Sequence, residues 1–225
     1  MNETNELFLH FLDEHLAVCE KPAGLLSEGE GKDALPTLLS AQLGGEVYPV
    51  HRLDRETSGL IVFARTKSAA AILSRELLDG SLQKEYLAVL CGIPQEKQAR
   101  LSDLLFYDRR AGKSFVVKKE RKGVKSAELD YEILAENQDR ALARVNLLTG
   151  RTHQIRVQFA SRKLPLVGDR RYGAPADDSS IALHAFHLSL THPNTGESME
   201  FFSSPSCKEF LPFAEHFPLE KTEKL

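Results

Sequence analysis

Short apolar runs separated by turn residues dominate this chain and predict a fold rich in β-strands. Every second residue is apolar over 127–133 and 141–147, which is the period of a half-buried strand, and the polar residues 137–139 predict a turn that joins the two strands as an antiparallel pair. The remaining short apolar runs that predict strands occupy residues 8–12, 16–20, 59–64, 85–91, 181–190 and 198–202. The last two runs flank a polar turn and predict a second hairpin.

Helical spacing of the apolar residues is confined to short segments. Residues 68–78 carry an apolar stripe with Gly80 in the stop position, and residues 37–43 end at Gly44. Because the helices are few and do not alternate regularly with the strands, the pattern predicts an α+β fold, with a mixed, mostly antiparallel sheet and flanking helices. We expect one domain over residues 1–225, with a core over about 7–205 and a tail over about 206–225 that begins with a short helix.

The composition narrows the class of protein. The 225 residues are 42% hydrophobic and 27% charged, a balance typical of globular domains and not of disordered chains. No apolar run approaches the roughly 18 residues of a membrane span, and the N-terminus has no leader pattern. Three cysteines at scattered spacing fit neither a disulfide framework nor a zinc site. These observations predict a cytoplasmic location without membrane contact.

The charge is distributed unevenly along the chain. Residues 108–125 carry eight basic side chains and two acidic ones, and residues 144–171 carry seven basic side chains and one acidic one, so each segment has a net charge of +6. With a total of -3, the rest of the chain sums to -15. A cationic region on an anionic body attracts a polyanion to one face. The alternative for a charged run is a solvated surface without a ligand.

The first candidate for chemistry is the stretch HRLDRETSG, which precedes the strand-like run over 59–64. Asp54 lies between Arg52 and Arg55, and nearby guanidinium groups keep a carboxylate ionised, as a nucleophile or a base requires. Asp54 and Glu56 also form a carboxylate pair of the kind that a glycosidase uses. The alternative is a surface ladder of charges that only fastens a turn.

Two further stretches carry polar groups beside apolar strands. Tyr86 follows Lys84-Glu85 at the start of a strand, where a tyrosine also serves for packing. In the stretch TGRTHQIRVQFA, Thr152 is the expected N-cap of a helix, and His153 and Arg156 share one helix face. Arg151 and the N–H groups of the helix start suit a phosphate, and the alternative is an ordinary amphipathic helix with exposed basic residues.

The histidines do not predict a metal site. His153, His184, His187 and His192 lack the spacing of known metal-binding motifs. We therefore expect no metal.

Taken together, HRLDRETSG, KEYLAVLCG and TGRTHQIRVQFA resemble the RluA family of pseudouridine synthases. The stretches KPAGLL at 21–26, GDRRYG at 168–173 and LHAFHLSLTHP at 183–193 resemble further motifs of that family, in the same order. The resemblance implies the pseudouridine synthase fold with a central catalytic cleft. It also implies isomerisation of uridine to pseudouridine in structured RNA, with base flipping and without a cofactor.

The resemblance also implies roles for single residues. Asp54 matches the catalytic aspartate, Tyr86 the tyrosine that packs on the target uracil, and Arg156 the arginine that pairs with that aspartate. Arg52 matches the arginine that enters the RNA stack as the uridine leaves. Arg151 and His153 are the other expected RNA-binding residues.

The substrate and two other activities stay open at this stage. We expect a monomeric, stand-alone catalytic domain without an S4 domain, and its RNA could be rRNA, a tRNA stem-loop or both. An aspartate-dependent N-glycosidase would release free uracil. A non-catalytic RNA-binding module with the same fold is the other alternative.

Overall fold

The computed structural model describes residues 6–176 and 179–218, and over these residues the fold is α+β, as the sequence predicts. The described strands are β1 (Leu9–Leu12), β2 (Leu16–Lys21), β3 (Tyr48–Pro49), β4 (Ser58–Ala64), β5 (Gln83–Cys91), β6 (Gln98–Asp108), β7 (Lys113–Val117), β8 (Val124–Asn137), β9 (Arg140–Leu147), β10 (Leu183–Thr191) and β11 (Ser198–Phe202). The α-helices are α1 (Leu35–Leu43), α2 (Lys67–Asp79) and α3 (Gln154–Ala160). Two 3-10 helices cover Arg170–Tyr172 and Lys208–His216.

The chain folds into two compact units. The first contains the residues up to Lys84 together with Ala185–Ser203, and the second contains Glu85–His184 together with the segment from Ser204. The expectation of one domain over residues 1–225 stays a prediction. The short helix expected at the start of the tail is the 3-10 helix Lys208–His216, and the end of that tail lies outside the described residues.

The first unit is a sheet in the order β1–β2–β4–β10–β11, with β3 beside β4. Strand β1 pairs with β2, β2 with β4, and β10 with β11, each in the antiparallel orientation. Helix α2 begins at Thr66, whose hydroxyl accepts a hydrogen bond from Ala69 N at 3.1 Å, and ends at Gly80 in the left-handed conformation. Leu73 of this helix packs with Val62 in the core. These elements agree with the sequence pattern.

Gly59 explains why β4 can approach β10 closely. A Cβ atom built at Gly59 would lie 2.3 Å from the backbone oxygen of Ala185, and the φ of Gly59 is +109°. No side chain fits at that distance, and L-residues rarely adopt that φ. Gly59, the glycine of the TSG sequence, is therefore required for β4 and β10 to pack this closely.

The second unit is an antiparallel sheet in the order β5–β9–β8–β6–β7. The predicted hairpin of β8 and β9 is confirmed, with Gln138 at φ 55° in its turn. The hairpin of β6 and β7 was not predicted, because its second strand lies in the cationic segment 108–125. In the described part of the chain, no helix has both the length and the hydropathy of a membrane span.

Candidate active site

The loop that carries Asp54 lies directly before β4 and is anchored through its backbone. The ammonium group of Lys21, which has no exposed surface, donates hydrogen bonds to the carbonyl oxygens of Pro22 at 3.0 Å, Arg55 at 3.0 Å and Thr57 at 2.8 Å. An ammonium group has three N–H donors, so these bonds use all of them. Lys21 thus fixes the chain on the C-terminal side of Asp54.

Two other buried side chains fix the N-terminal side of the same loop. The Ser27 hydroxyl donates to the carbonyl oxygen of Leu53 at 2.8 Å and accepts from Leu53 N at 3.0 Å. The His51 ring accepts from Val62 N of β4 at 3.2 Å through Nε2. Burial, together with the charge of Lys84, holds the pKa of His51 well below its ordinary value, so this ring is neutral. Backbone bonds on both sides of Asp54 determine the course of the loop.

The cations that flank Asp54 in sequence have other partners in the structure. Arg52 pairs with Glu28 at 2.7 Å, and both side chains are more than half exposed. Arg55 Nε donates to the carbonyl oxygen of Gly24 at 2.8 Å. Within the first unit, a charge that acts on Asp54 comes from Lys21. The sequence offered Arg52 and Arg55 as the cations beside Asp54 and did not identify this lysine.

Burial lowers the pKa of Lys21 to about 8, and the carboxylates of Glu56 and Asp54 oppose that shift. An ammonium group so far from water is stabilised only by what surrounds it, here three carbonyl dipoles and two carboxylates. Asp54 therefore lies close enough to this buried cation to interact with it.

In the second unit, Tyr86 lies on β5 and is 4% exposed. It is paired with Val145 of β9 in the antiparallel register. The sequence prediction of a tyrosine at the start of a strand is confirmed, since β5 begins at Gln83.

Helix α3 differs from the predicted one at its start. Its N-cap is His153, at φ 55°, and no side chain caps it, so the prediction that Thr152 is the N-cap was wrong. The Gln154 side chain holds this turn, because its Oε1 accepts from Thr149 Oγ1 at 2.7 Å and from Arg151 N at 3.0 Å. A side chain that follows the turn thus replaces the expected cap.

The two candidate RNA-binding residues of this turn have partners within the second unit. Arg151 Nε donates to the carbonyl oxygen of Ser126 at 2.9 Å. His153 Nδ1 lies 3.0 Å from the Tyr172 hydroxyl, which in turn accepts from Ser114 N at 2.8 Å. The ring of His153 is therefore oriented by a tyrosine from the GDRRYG stretch.

Arg156 is buried and forms an ion pair with Asp169. Its Nε lies 2.7 Å from Asp169 Oδ2 and its Nη2 lies 3.0 Å from Oδ1, and the two side chains are 2% and 0% exposed. This two-point contact fixes the plane of the guanidinium group. Asp169 thus engages the Nε–Nη2 edge of Arg156.

Known proteins resemble this chain in sequence and in fold. A family model described as RNA pseudouridylate synthase matches residues 15–161 of the chain. The dual-specificity RNA pseudouridine synthase RluA of Escherichia coli (strain K12) is 36% identical over 204 residues, which cover 87% of this chain and 91% of that protein. The chain belongs to the RNA pseudouridylate synthase family.

Other relatives agree. The uncharacterized RNA pseudouridine synthase YhcT of Bacillus subtilis (strain 168) is 35% identical over 206 residues, or 87% of this chain and 67% of that protein. The solved structure of human RNA pseudouridylate synthase domain containing 1 superposes with a TM-score of 0.77 at 26% identity, over 94% of this chain and 87% of that one. The RluA-family resemblance is confirmed, and this pseudouridine synthase isomerises uridine to pseudouridine in RNA.

The predicted site residues of this pseudouridine synthase fall in both units. Asp54 and Arg52 belong to the first unit, and the second contains Tyr86, Arg151, His153 and Arg156. The pairing of Arg156 with Asp54 stays a prediction. Among the residues that the structure describes, no group of three His, Cys, Asp or Glu side chains is arranged to hold a metal ion.

Two residues of the site had no predicted role. Lys21 lies in KPAGLL and Asp169 lies in GDRRYG. Both stretches carry the family resemblance, but the sequence implied no role for either side chain. A lysine or an aspartate beside a buried strand is a signal in itself, because such groups are buried only with partners.

Proposed function

We propose that Asp54 is the catalytic carboxylate of this pseudouridine synthase and that Tyr86 and Arg156 complete its active site. The observation that carries the proposal is the anchoring of the Asp54 loop by Lys21, which fixes the backbone beside the aspartate and places a buried cation near it. Such a loop presents a carboxylate in a fixed position at the end of a strand.

The reaction breaks the bond between uracil N1 and ribose C1′, turns the base, and forms a bond between C5 and C1′, after which C5 loses its proton and N1 gains one. Nothing is oxidised and no group is imported, so we expect it to need no cofactor or metal. The ionised Asp54 either attacks C1′ or removes the C2′ proton, and both routes need its negative charge. Tyr86 would hold the freed uracil, since loss of the base would turn the isomerase into an N-glycosidase.

The flipped nucleotide requires groups that replace it and hold the neighbouring phosphates. Flipping a base costs a few kcal/mol, and we propose that the Arg52 guanidinium offsets part of that cost by stacking in the vacated position. Its contact with Glu28 is an exposed ion pair, which costs little to break. Arg151 and His153 are the proposed phosphate contacts.

For the RNA target, we propose an rRNA or tRNA stem-loop. Two relatives support this choice by name, a dual-specificity RNA pseudouridine synthase and a ribosomal large subunit pseudouridine synthase D of Nitrosomonas europaea. Mapping pseudouridine in total RNA from cells with and without the gene would identify the target, as positions that lose the modification in its absence. A monomeric state and a cytoplasmic location stay predictions.

The Asp54→Asn variant tests the catalytic assignment. The substitution removes the negative charge with almost no change in side-chain size, so we expect turnover to fall to background. RNA affinity should stay within about threefold, because RNA phosphates are bound by cationic side chains and not by carboxylates. The matched control is Glu56→Gln, a neighbouring carboxylate in the same loop, which we expect to keep most activity. Measurable pseudouridine formation by Asp54→Asn would refute the proposal, and release of free uracil by the unaltered enzyme would indicate an N-glycosidase.

A further inference from the structure

The outward face of β6 is polar along its first half. Three cross-strand pairs with β8 make side-chain hydrogen bonds of 2.7–3.0 Å, namely Gln98–Glu132, Arg100–Asp130 and Ser102–Glu128. This is the usual solvent face of an antiparallel sheet that buries its other side. The acidic partners also make this half of the face unfavourable for a polyanion.

The second half of the same face is aromatic and apolar. Phe106 of β6 lies directly opposite Phe115 of β7 and Val124 of β8, and residues that are paired across strands lie on one face. The other face carries Leu105, which packs with Val157 of α3 in the core. Phe115 is 42% exposed, so its ring lies on the solvent side of the sheet.

Cations surround these two rings. The Arg121 guanidinium carbon lies 4.5 Å from the centre of the Phe106 ring, and Lys113 Nζ lies 5.8 Å from the centre of the Phe115 ring. Both distances are within the range of a cation–π contact. The exposed lysines between β7 and β8 are Lys118, Lys119 and Lys122. We call Phe106, Phe115, Arg121 and these lysines, with Lys113, the aromatic–cationic surface.

We propose that the aromatic–cationic surface binds an unpaired nucleotide of the RNA substrate, with its base stacked on Phe115 and the adjacent phosphates held by the lysines. Every base has a π-face that can stack on an aromatic ring, and single strands are bound by such rings beside cationic side chains. The charge is complementary, because the segment 108–125 has a net charge of +6. The proposal rests on the proposed function only in taking RNA as the substrate.

A tryptophan at position 115 would report the stacked base directly. The chain has no tryptophan, so the Phe115→Trp variant contains a single indole fluorophore. We expect a short single-stranded oligouridylate to quench its fluorescence and a duplex RNA of the same length to quench it much less, since duplex bases are already stacked. The matched control is Phe8→Trp, at a phenylalanine of the first unit that is 65% exposed, which we expect to remain unquenched.

Affinity separates stacking from charge. Phe115→Ala removes an exposed ring, and we expect it to weaken binding of the oligouridylate by about 5- to 100-fold, the loss typical of one stacked base. Because no charge is removed, the slope of log affinity against log salt concentration should not change. Phe115→Tyr keeps an aromatic ring and should bind like the unaltered chain.

Three results would overturn this assignment. The first is an unquenched Phe115→Trp variant that binds the oligouridylate fully. The second is a Phe115→Ala variant with unchanged affinity. The third is fluorescence of Phe115→Trp that changes with protein concentration in the absence of RNA, which would make this face a contact between copies of the chain. A chain that shows the quenching but forms no pseudouridine would contradict the proposed function and leave the surface supported.

Discussion

A single buried ammonium group organises the loop that carries Asp54. Lys21 is completely buried, and its hydrogen bonds go to the backbone carbonyl oxygens of Pro22, Arg55 and Thr57. Burying a charge is unfavourable unless it is paired, and here the compensation is incomplete, because the pKa of Lys21 falls to about 8. The protein therefore loses some stability near neutral pH in return for a fixed loop.

This loss predicts a pH dependence of stability. Burial lowers the pKa of Lys21 from 10.5 to about 8, so between these values the unfolded chain binds more protons than the folded one. The free energy of unfolding therefore rises as the pH increases from about 8 to 10.5. The same contribution is lost as the pH falls back to about 8. Relative to Lys21→Met, we expect the unaltered chain to gain about 3 kcal/mol across this window.

Urea unfolding at a series of pH values measures that gain. The control is Lys32→Met, an exposed lysine of the same unit, whose stability should follow that of the unaltered chain. Parallel curves for the unaltered chain and Lys21→Met would show that the ammonium group is solvated in the folded state.

At the scale of single residues, the sequence did not predict the hydrogen-bond partners that the structure gives to its candidate side chains. Thr152 is a good N-cap by composition, yet its carbonyl oxygen accepts from the Ser114 hydroxyl and His153 occupies the cap position. Lys21 finds its acceptors on the backbone of residues up to 36 positions away. Backbone carbonyl groups are present at every position, so no pattern of residue types encodes such contacts.

At the scale of elements, α3 is unusual because it is short and buries polar residues. Its seven residues include Gln154, Arg156 and Gln158, all buried. Each has a partner outside the helix, such as the carboxylate of Asp103, which accepts from Gln158 Nε2 at 2.7 Å. The helix is thus held by side-chain hydrogen bonds as well as by the buried apolar side chains of Ile155 and Phe159.

Substitution of the ion pair between Arg156 and Asp169 tests how much this pair stabilises α3 and the fold. Asp169→Asn leaves a buried guanidinium group without its counter-charge, and we expect a loss of about 3–5 kcal/mol in the free energy of unfolding. The double variant Arg156→Met, Asp169→Leu removes both charges and should be more stable than Asp169→Asn. Urea unfolding of the two variants measures both effects.

Asp130→Asn is the matched control, since it breaks an exposed pair with Arg100 and should cost far less. Equal free energies of unfolding for Asp169→Asn and Asp130→Asn would show that the buried ion pair stabilises the fold no more than the exposed one.

The hairpins show why some elements are predictable and others are not. Residues 127–133 alternate between a buried and a polar face, so β8 follows from its sequence. In β6, Leu104 and Phe106 lie on the outward face beside the buried Leu105, and alternation is lost. The sequence of β6 lacks the alternating pattern because its outward face changes from polar to apolar side chains where the aromatic–cationic surface begins.

At the scale of the whole molecule, the net charge of -3 hides two cationic segments on an anionic chain. The first segment forms β7 and the adjoining turns of the second unit. Binding of RNA by such a surface releases counterions and weakens as the salt concentration rises. The acidic remainder of the chain opposes binding elsewhere, which favours one orientation of the RNA.

The triple variant Lys118→Ala, Lys119→Ala, Arg121→Ala tests that view. Each lost phosphate contact lowers the slope of log affinity against log salt by about 0.7 on single-stranded RNA, so we expect a decrease of up to about 2 together with weaker binding. The control removes three exposed basic residues of the first unit, Lys32, Lys67 and Arg75, and should change the slope less. An unchanged slope in the first variant would mean that this segment does not contact RNA.

The anchoring of the Asp54 loop by main-chain atoms has an evolutionary consequence. Lys21 and Ser27 bind peptide groups at positions 53, 55 and 57, and peptide groups survive most substitutions. Descendants of this enzyme can therefore exchange the exposed side chain at position 55 without losing its anchoring carbonyl group, whereas packing also constrains the buried side chains of Leu53 and Thr57. The surface beside the aspartate can thus vary while the course of the backbone is inherited.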